Sequence, residues 1–327
     1  MPVVTLGEGA PKLSAEEVKA IAIRANLKLP ESDVPDFQRL LGVIDQNIQE
    51  VLAADDYYPV PDLAKYPRTD VHIPKDTDKG GWATRCIAKC TSPSSNLLAG
   101  KTIALKDNVA LAGIRCINGT AAMDWTPQLD ATIATRIMDA GGVILGKSAC
   151  ENACPEGVSD TSVPGICGGS SSGSGRLVAI GSVDLAVECD QGGSIRIPAS
   201  MCGIVGHKPT WGLVPYTGFI SGESTIDHAS PMARNVRDTA LPLEAMAGPD
   251  GIDDRQPPYL PPGTMEYTEQ LDEFTASTAS SAKPLSGFKI AIMKEGFTIP
   301  QMDPNIHALC NPKPPPQYGS LPTLVPP

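Results

Sequence analysis

Two glycine–serine clusters on either side of a short apolar segment constrain this sequence more than any other feature. The first is Gly168–Gly175, GGSSSGSG, and the second is Gly192–Ser194, GGS. Glycines before a serine allow a tight turn that directs successive backbone N–H groups at one point. Such a turn suits an oxyanion hole, where each donor contributes ~3 kcal/mol in the transition state. For the tripeptide Gly192–Ser194 alone, a plain glycine turn capped by a serine is the better explanation.

Glycine-rich loops also bind phosphate, which is the alternative for the first cluster. A P-loop has the pattern Gly-x4-Gly-Lys-Ser/Thr, and a dinucleotide-binding turn has Gly-x-Gly-x-x-Gly. The segment that starts at Gly169 lacks the lysine and matches neither pattern. The sequence therefore argues against phosphate binding.

An upstream lysine, Lys106, follows the apolar run TIAL. Free lysine has a pKa of about 10.4 and is a poor base at neutral pH, but burial lowers such a pKa by several units. Taken alone, Lys106 is best explained as a surface charge. Because Ser–Lys pairs can replace histidine-based triads, and none of these motifs contains a catalytic histidine candidate, the combination indicates acyl transfer by a Ser-Ser-Lys set.

From Leu98 onward the sequence alternates between apolar strand-like runs and helical patterns. Such alternation predicts an α/β fold, a mixed twisted β-sheet covered by helices. The predicted elements are the helix Ala131–Ala140 and the strands Thr102–Leu105, Val143–Gly146, Leu185–Val187 and Phe288–Met293.

Residues 1–81 are predicted to form an N-terminal helical extension followed by a loop. Ser14 and Glu17 match a capping box, and Pro30 and Pro35 are predicted to interrupt the helical pattern. Tyr57–Gly81 is rich in Pro, Asp and Lys and is predicted to be the loop. The helices are interpreted as an amphipathic cap packed on the core, with a partner-binding helix pair as the alternative.

The net charge and the aromatic content indicate which classes of partner the chain is not expected to bind. With 26 basic and 37 acidic residues the net charge is −11, and aromatic residues make up only 5% of the chain. An acidic chain with few aromatic residues is not expected to bind nucleic acid or an anionic membrane. The first residues do not match a signal peptide and no run of about 18 apolar residues occurs, so we expect a cytoplasmic protein without a membrane span.

The nine cysteines are interpreted as reduced, mostly buried thiols. Two pairs, Cys86 with Cys90 and Cys150 with Cys154, have the spacing Cys-x3-Cys. Zinc sites usually have Cys-x2-Cys with further cysteine or histidine ligands, so no metal site is predicted.

Together these motifs resemble the amidase signature family. The resemblance rests on GGSSSGSG, DQGGSIRIPASMCGIVGHKPTWGLVPYTG, ALKDNVALAG and AGGVILGK, and it spans Leu98–Gly248 with a weaker match at Gly287–Pro304. DQGGS and TIDHASPMAR are similar to the branch of nitrile-pathway and enantioselective amidases. The family implies hydrolysis of a small-molecule carboxamide to a carboxylic acid and ammonia or an amine, through a serine acyl-enzyme and without metal or cofactor. A homodimer is a candidate assembly.

The resemblance implies a role for each matching residue. Ser194 is the implied nucleophile, Ser170 follows a cis peptide bond and bridges it to the lysine, and Lys106 is the neutral base. The implied oxyanion donors are the backbone amides of Gln191, Gly192, Gly193 and Ser194. The implied supporting residues are Asp190 and Arg196, which pair and brace the loop, and Ser171, which is a hydrogen-bond donor. His228 is a further candidate for supporting the pocket, but the favoured interpretation is a buried structural histidine.

Two departures from the family pattern affect these expectations. The segment Thr161–Cys167 runs directly into Gly168, where family members carry a longer stretch with Asn-Pro, and the family fold continues well past Pro327. We therefore expect a partial amidase core over residues 82–304 and a proline-rich tail, disordered or aberrant, over residues 305–327. The alternatives are a truncated, inactive amidase-like chain and an A-type component of an amidotransferase.

Overall fold

The computed structural model describes residues 13–54, 59–76, 78, 80–120, 122–151, 168–256, 266–289, 294–297 and 304–310. The chain divides into two compact units, Met1–Pro59 and Val60–Pro327. Three predictions fall wholly or largely outside the described residues: the strand Phe288–Met293, the shortened segment before Gly168, and the proline-rich tail.

The first unit contains two helices, α1 (Ala15–Arg24) and α2 (Val34–Ala53), with a 3-10 turn at Glu31–Asp33. The predicted capping box is confirmed: the Glu17 N–H donates to Ser14 Oγ at 3.2 Å, and the Ser14 N–H donates to Glu17 Oε2 at 2.7 Å. Pro35 does not interrupt a helix but lies in the first turn of α2. A first-turn N–H has no partner within the helix, so a proline costs nothing there.

The second unit is built on one mixed sheet of seven strands in the order β1-β2-β4-β3-β5-β7-β6. The strands are β1 (Arg68–His72), β2 (Trp82–Ala88), β3 (Thr102–Lys106), β4 (Val143–Ser148), β5 (Leu185–Asp190), β6 (Val205–Gly206) and β7 (His228–Ala233). The helices of this unit are α3 (Thr132–Asp139), α4 (Ser172–Ala179), α5 (Arg196–Cys202), α6 (Val236–Met246), α7 (Tyr267–Thr278) and α8 (Pro304–Cys310), with a 3-10 turn at Lys294–Phe297.

Three parallel strands, β4, β3 and β5, form the middle of the sheet. Parallel strands need crossover connections, and in chain order α3 lies between β3 and β4 and α4 lies between β4 and β5. The flanking strands are antiparallel: β2 pairs with β4 and β7 pairs with β5. The predicted mixed sheet of an α/β fold is thereby confirmed.

The central strands alternate their side chains between two apolar cores. Ile103 and Leu105 of β3 lie in the larger core, which also contains Ile137 of α3 and Leu241 of α6. Ala104 lies in the smaller core on the opposite face of the sheet, and Ala186, Leu177 and Val178 lie there too. The sheet is therefore covered by α3 and α6 on one face and by α4 on the other.

The prediction that Tyr57–Gly81 forms a loop is wrong for one segment. Residues Arg68–His72 form β1, an edge strand that pairs with β2 and so belongs to the sheet. Four of its five side chains are exposed, which explains why its sequence lacks the apolar alternation of a half-buried strand. Among the described helices, none is long and apolar enough to cross a membrane.

Candidate active site

The candidate site lies where the parallel strands end. Lys106, Ser148 and Asp190 are the last residues of β3, β4 and β5, respectively. The carboxyl ends of parallel strands meet at one edge of the sheet, which is where open α/β sheets bind their ligands. The two glycine–serine clusters follow β4 and β5 and so connect to the same edge.

Lys106 and Ser170 make the central contact of the site. Lys106 Nζ lies 2.8 Å from Ser170 Oγ, and neither residue is exposed to solvent. The peptide bond between Gly169 and Ser170 is cis, as the family resemblance implies. A second contact holds the lysine amine, because Nζ also lies 3.4 Å from Cys189 Sγ. Burial disfavours the charged form of a lysine, which favours its use as a base.

Ser194 lies in the turn between β5 and α5 and is 9% exposed. The loop before α4 packs against this helix, because a Cβ added at Gly168 would lie 2.9 Å from Ile197 Cγ2. Ser170 and Ser194 are thus carried by neighbouring loops on adjoining helices. The structure brings the three predicted catalytic residues to the same edge of the sheet.

Asp190 organises the Ser194 turn. Its Oδ1 accepts from the Gly193 N–H at 2.9 Å, its Oδ2 accepts from the Ile195 N–H at 3.1 Å, and Arg196 donates to both oxygens. Burial raises the pKa of Asp190, but the Arg196 guanidinium and the Ile195 N–H outweigh it and leave that pKa below its usual value. The structure contains the ion pair between Asp190 and Arg196 that the resemblance implies.

The oxyanion donors differ from the prediction at one position. The Gly193 N–H already donates to Asp190, so it is not available to a substrate oxygen. Within the described residues, the backbone N–H groups of Gln191, Gly192 and Ser194 have no acceptor, which leaves these three as candidates. Gly193 has φ +128°, a conformation that requires glycine, and the turn brings its Cα close to Ile197.

Two other predicted residues lie at the site in different settings. Ser171 is fully buried at the start of α4, but its Oγ has no hydrogen-bond partner among the described residues, so its donor role stays a prediction. His228 is half-buried rather than buried, at the start of β7, where Nδ1 lies 2.7 Å from the Ile226 carbonyl oxygen and Nε2 lies 3.1 Å from Lys208 Nζ. These contacts give His228 a structural role.

The sequence did not predict that three buried residues would lie near the site: Asn108, Cys189 and Glu188. Asn108 Nδ2 donates to Cys189 Sγ at 3.1 Å, which fixes the thiol that contacts Lys106. Glu188 is fully buried on β5, and burial raises its pKa to about 8. A glutamate inside the apolar run LAVECD was the signal for this residue, because charged side chains are rarely placed in a fully buried strand.

A cavity of ≈ 420 Å³ adjoins the ends of β3 and β4. Its lining includes Asp107, Arg115, Thr120, Ala149 and Cys150. A volume of this size accommodates a small molecule. In the part of the chain that the structure describes, no group of three or more His, Cys, Asp or Glu side chains is arranged to hold a metal ion.

A family model described as Amidase matches residues 81–311, most of the chain. The chain belongs to the amidase family. The resemblance drawn from the sequence motifs is therefore confirmed.

Relatives of this amidase-family chain include two kinds of protein. It is 42% identical over 270 residues to an enantioselective amidase from Rhodococcus rhodochrous, across 75% of this chain and 49% of the relative. It is 42% identical over 167 residues to the A-type component of the glutamyl-tRNA(Gln) amidotransferase from Haloarcula marismortui, across 48% of this chain and 39% of the relative. The chain thus spans about half the length of these curated relatives, or less.

Solved structures show the same fold for the amidase family. The native peptide amidase from Stenotrophomonas maltophilia aligns with a TM-score of 0.50 and 34% identity, over 54% of this chain and 39% of that one. A chain from an inhibitor-bound vestigial protein complex, described as revealing the evolutionary origins of an s-triazine catabolic enzyme, aligns with a TM-score of 0.51 and 30% identity, over 55% of this chain and 41% of that one.

Proposed function

We propose that this chain hydrolyses a small carboxamide to a carboxylic acid and ammonia or an amine, with Ser194 as the nucleophile. The observation that carries the proposal is the buried 2.8 Å contact between Lys106 Nζ and Ser170 Oγ. A serine in contact with a buried lysine can pass a proton to it when the lysine is neutral. The family membership and the Rhodococcus relative support the same reaction.

In the first half-reaction, Ser194 Oγ attacks the carbonyl carbon of the amide while its proton passes to Ser170 Oγ. Ser170 in turn gives its own proton to neutral Lys106, so the 2.8 Å contact carries the proton from oxygen to nitrogen. The negative charge that develops on the carbonyl oxygen is stabilised by the N–H groups of Gln191, Gly192 and Ser194. The proton then returns through Ser170 to the leaving nitrogen, and the C–N bond breaks.

In the second half-reaction, water attacks the acyl-enzyme along the same path. Lys106 and Ser170 take a proton from the water and return it to Ser194 Oγ as the acid leaves. None of these steps calls for a metal ion or a cofactor.

The first test is covalent labelling. Wild-type protein treated with a fluorophosphonate should carry the adduct on Ser194, and Ser194→Ala should carry none. Lys106→Ala should lower the rate of amide hydrolysis by at least ~100-fold, the usual scale of a general base. Labelling of Ser170 or Ser171 in place of Ser194, or near wild-type turnover in Lys106→Ala, would refute the assignment.

A second function, as the A-type component of an amidotransferase whose partners pass ammonia onward, is favoured by the Haloarcula relative. It ranks below amide hydrolysis because the Rhodococcus relative matches a larger share of this chain. Ammonia release that depends on partner proteins and an acceptor would support it. Release from simple carboxamides by the chain alone would support the first function.

A further inference from the structure

Asp227 lies at the centre of a polar network that the proposed chemistry does not use. Its side chain is fully buried, and five donors converge on its two oxygens. Oδ1 accepts from Gln191 Nε2 at 2.6 Å and from the N–H groups of Gly222 and Glu223 at 3.4 and 3.3 Å. Oδ2 accepts from Ser221 Oγ at 2.5 Å and from Arg255 at 3.1 Å. This aspartate belongs to TIDHASPMAR, the motif to which the reaction gives no other role.

The sheet register places Asp227 beside Gln191, the first residue of the loop that carries the candidate oxyanion donors. Asp190, the last residue of β5, pairs with His228, the first residue of antiparallel β7. Gln191 directly follows β5 and Asp227 directly precedes β7, so the two form the next pair beyond the ladder. A 2.6 Å hydrogen bond between their side chains therefore joins the two chain segments just beyond the ends of β5 and β7.

The network extends from Asp227 to a third segment. Arg255 also donates to Asp253 Oδ1 at 2.7 Å, and its guanidinium lies 4.7 Å from the centre of the Tyr216 ring. The hydroxyl of Tyr216 accepts from Gln191 Nε2 at 3.0 Å. The Gln191 amide is thus held by two groups that Arg255 itself holds in place. A charge-assisted bond is about twice as strong as a neutral one, so Asp227 is the stronger of the two anchors.

We propose that Asp227 is a positioning residue that acts through the Gln191 side chain to hold the Gln191 backbone N–H in the oxyanion hole. The inference rests on the proposed function, because the N–H of Gln191 has a role only where an oxyanion forms. An oxyanion donor acts on charge that develops in the transition state, so its displacement lowers kcat and leaves KM nearly unchanged.

The test compares three variants by kcat and KM for a simple carboxamide and by the rate of fluorophosphonate labelling. Gln191→Met keeps the backbone N–H but removes the anchored amide, and Asp227→Ala removes the anchor. Each should lower kcat and the labelling rate by at least about 10-fold, a part of the loss seen when an oxyanion donor is deleted. Asp184→Ala is the matched control: Asp184 also accepts from a backbone N–H and a hydroxyl, both of Thr102, and from Arg234, but it lies at the opposite end of β3 and β5 from the site. Its kcat should stay within about 3-fold of wild type, well short of the loss expected from a displaced donor.

The double variant separates positioning from general loosening of the structure. If Asp227 acts through Gln191, adding Asp227→Ala to Gln191→Met should lower kcat no further. Additive losses, an equal loss in Asp184→Ala, or wild-type kcat in Gln191→Met would overturn the inference. Where Asp227→Ala fails to fold, Tyr216→Phe separates the two anchors of Gln191, because it removes only the Tyr216 hydroxyl whereas Gln191→Met removes both contacts. Tyr216→Phe should lower kcat less than Gln191→Met, and an equal loss would overturn the inference. Wild-type protein that neither reacts with the probe nor cleaves amides would instead count against the proposed function.

Discussion

Replacing Asp190 by asparagine should destabilise the protein far more than removing its partner, Arg196. The Asp190 side chain is fully buried, whereas that of Arg196 is 50% exposed. Asparagine offers one acceptor oxygen where aspartate offers two, so either the Gly193 or the Ile195 N–H loses its acceptor. An unsatisfied buried N–H costs about 1–3 kcal/mol, and a lost bond to a charged group adds about 1.5–3 kcal/mol. We expect Asp190→Asn to cost ~3–5 kcal/mol.

Arg196→Ala should cost only ~1 kcal/mol, because the remaining carboxylate keeps both backbone donors and the lost charge was largely solvated. Urea unfolding followed by circular dichroism measures both variants against wild type, and equal m-values establish that the comparison is valid. An Arg196→Ala loss as large as that of Asp190→Asn, or an Asp190→Asn protein within ~1 kcal/mol of wild type, would refute this reasoning.

The same pair makes a pH prediction with a definite sign. The pKa of Asp190 is lower in the folded protein than its usual value. A carboxyl group of this kind contributes its full stability above the unfolded pKa of about 3.9 and loses it as the pH falls through the folded pKa. The stability difference between wild type and Asp190→Asn should therefore be constant near neutral pH and shrink below about pH 4.

Further predictions follow from single residues. Gly193→Ala should cost ~1–3 kcal/mol, because alanine is strained at φ +128° and its Cβ would lie 2.6 Å from Ile197 Cδ1, whereas Gly192→Ala meets no atom within 4 Å and should be neutral in the same urea assay. Glu188 has a folded pKa of about 8 against about 4.3 when unfolded, so the folded state holds the proton longer and loses stability as the pH rises between these values. Glu188→Gln should accordingly raise Tm relative to wild type at pH 8 but not at pH 4, and an equal difference at both would contradict this. Amidase activity should survive dialysis against a chelator, and loss of activity that zinc restores would show a metal requirement.

Much of the central sheet could be predicted from the sequence. The apolar runs that end at Leu105 and Val187 predicted strands, and the structure extends them to Lys106 and Asp190. The extensions were missed because their side chains are charged, and charge argues against a buried strand. These charged ends are where the site forms, so the local pattern failed at the residues that function requires.

The supporting network of the site was harder to predict. Asp227 and Gln191 lie 36 positions apart, and only the antiparallel register between β5 and β7 brings them together. The prediction that the Gly193 N–H binds substrate failed in the same way, because its acceptor, Asp190, was assigned only to Arg196. Sequence motifs predict which groups react, whereas the distribution of hydrogen bonds among them depends on the folded turn.

The central claim is that Ser194 becomes acylated during turnover. The most direct measurement is mass spectrometry of the protein quenched in acid while it hydrolyses a carboxamide, with the modified peptide sequenced. The mass of the acyl group should be found on Ser194 in wild type and be absent from Ser194→Ala. Hydrolysis that proceeds with the acyl group on another residue, or that is retained in Ser194→Ala, would contradict it.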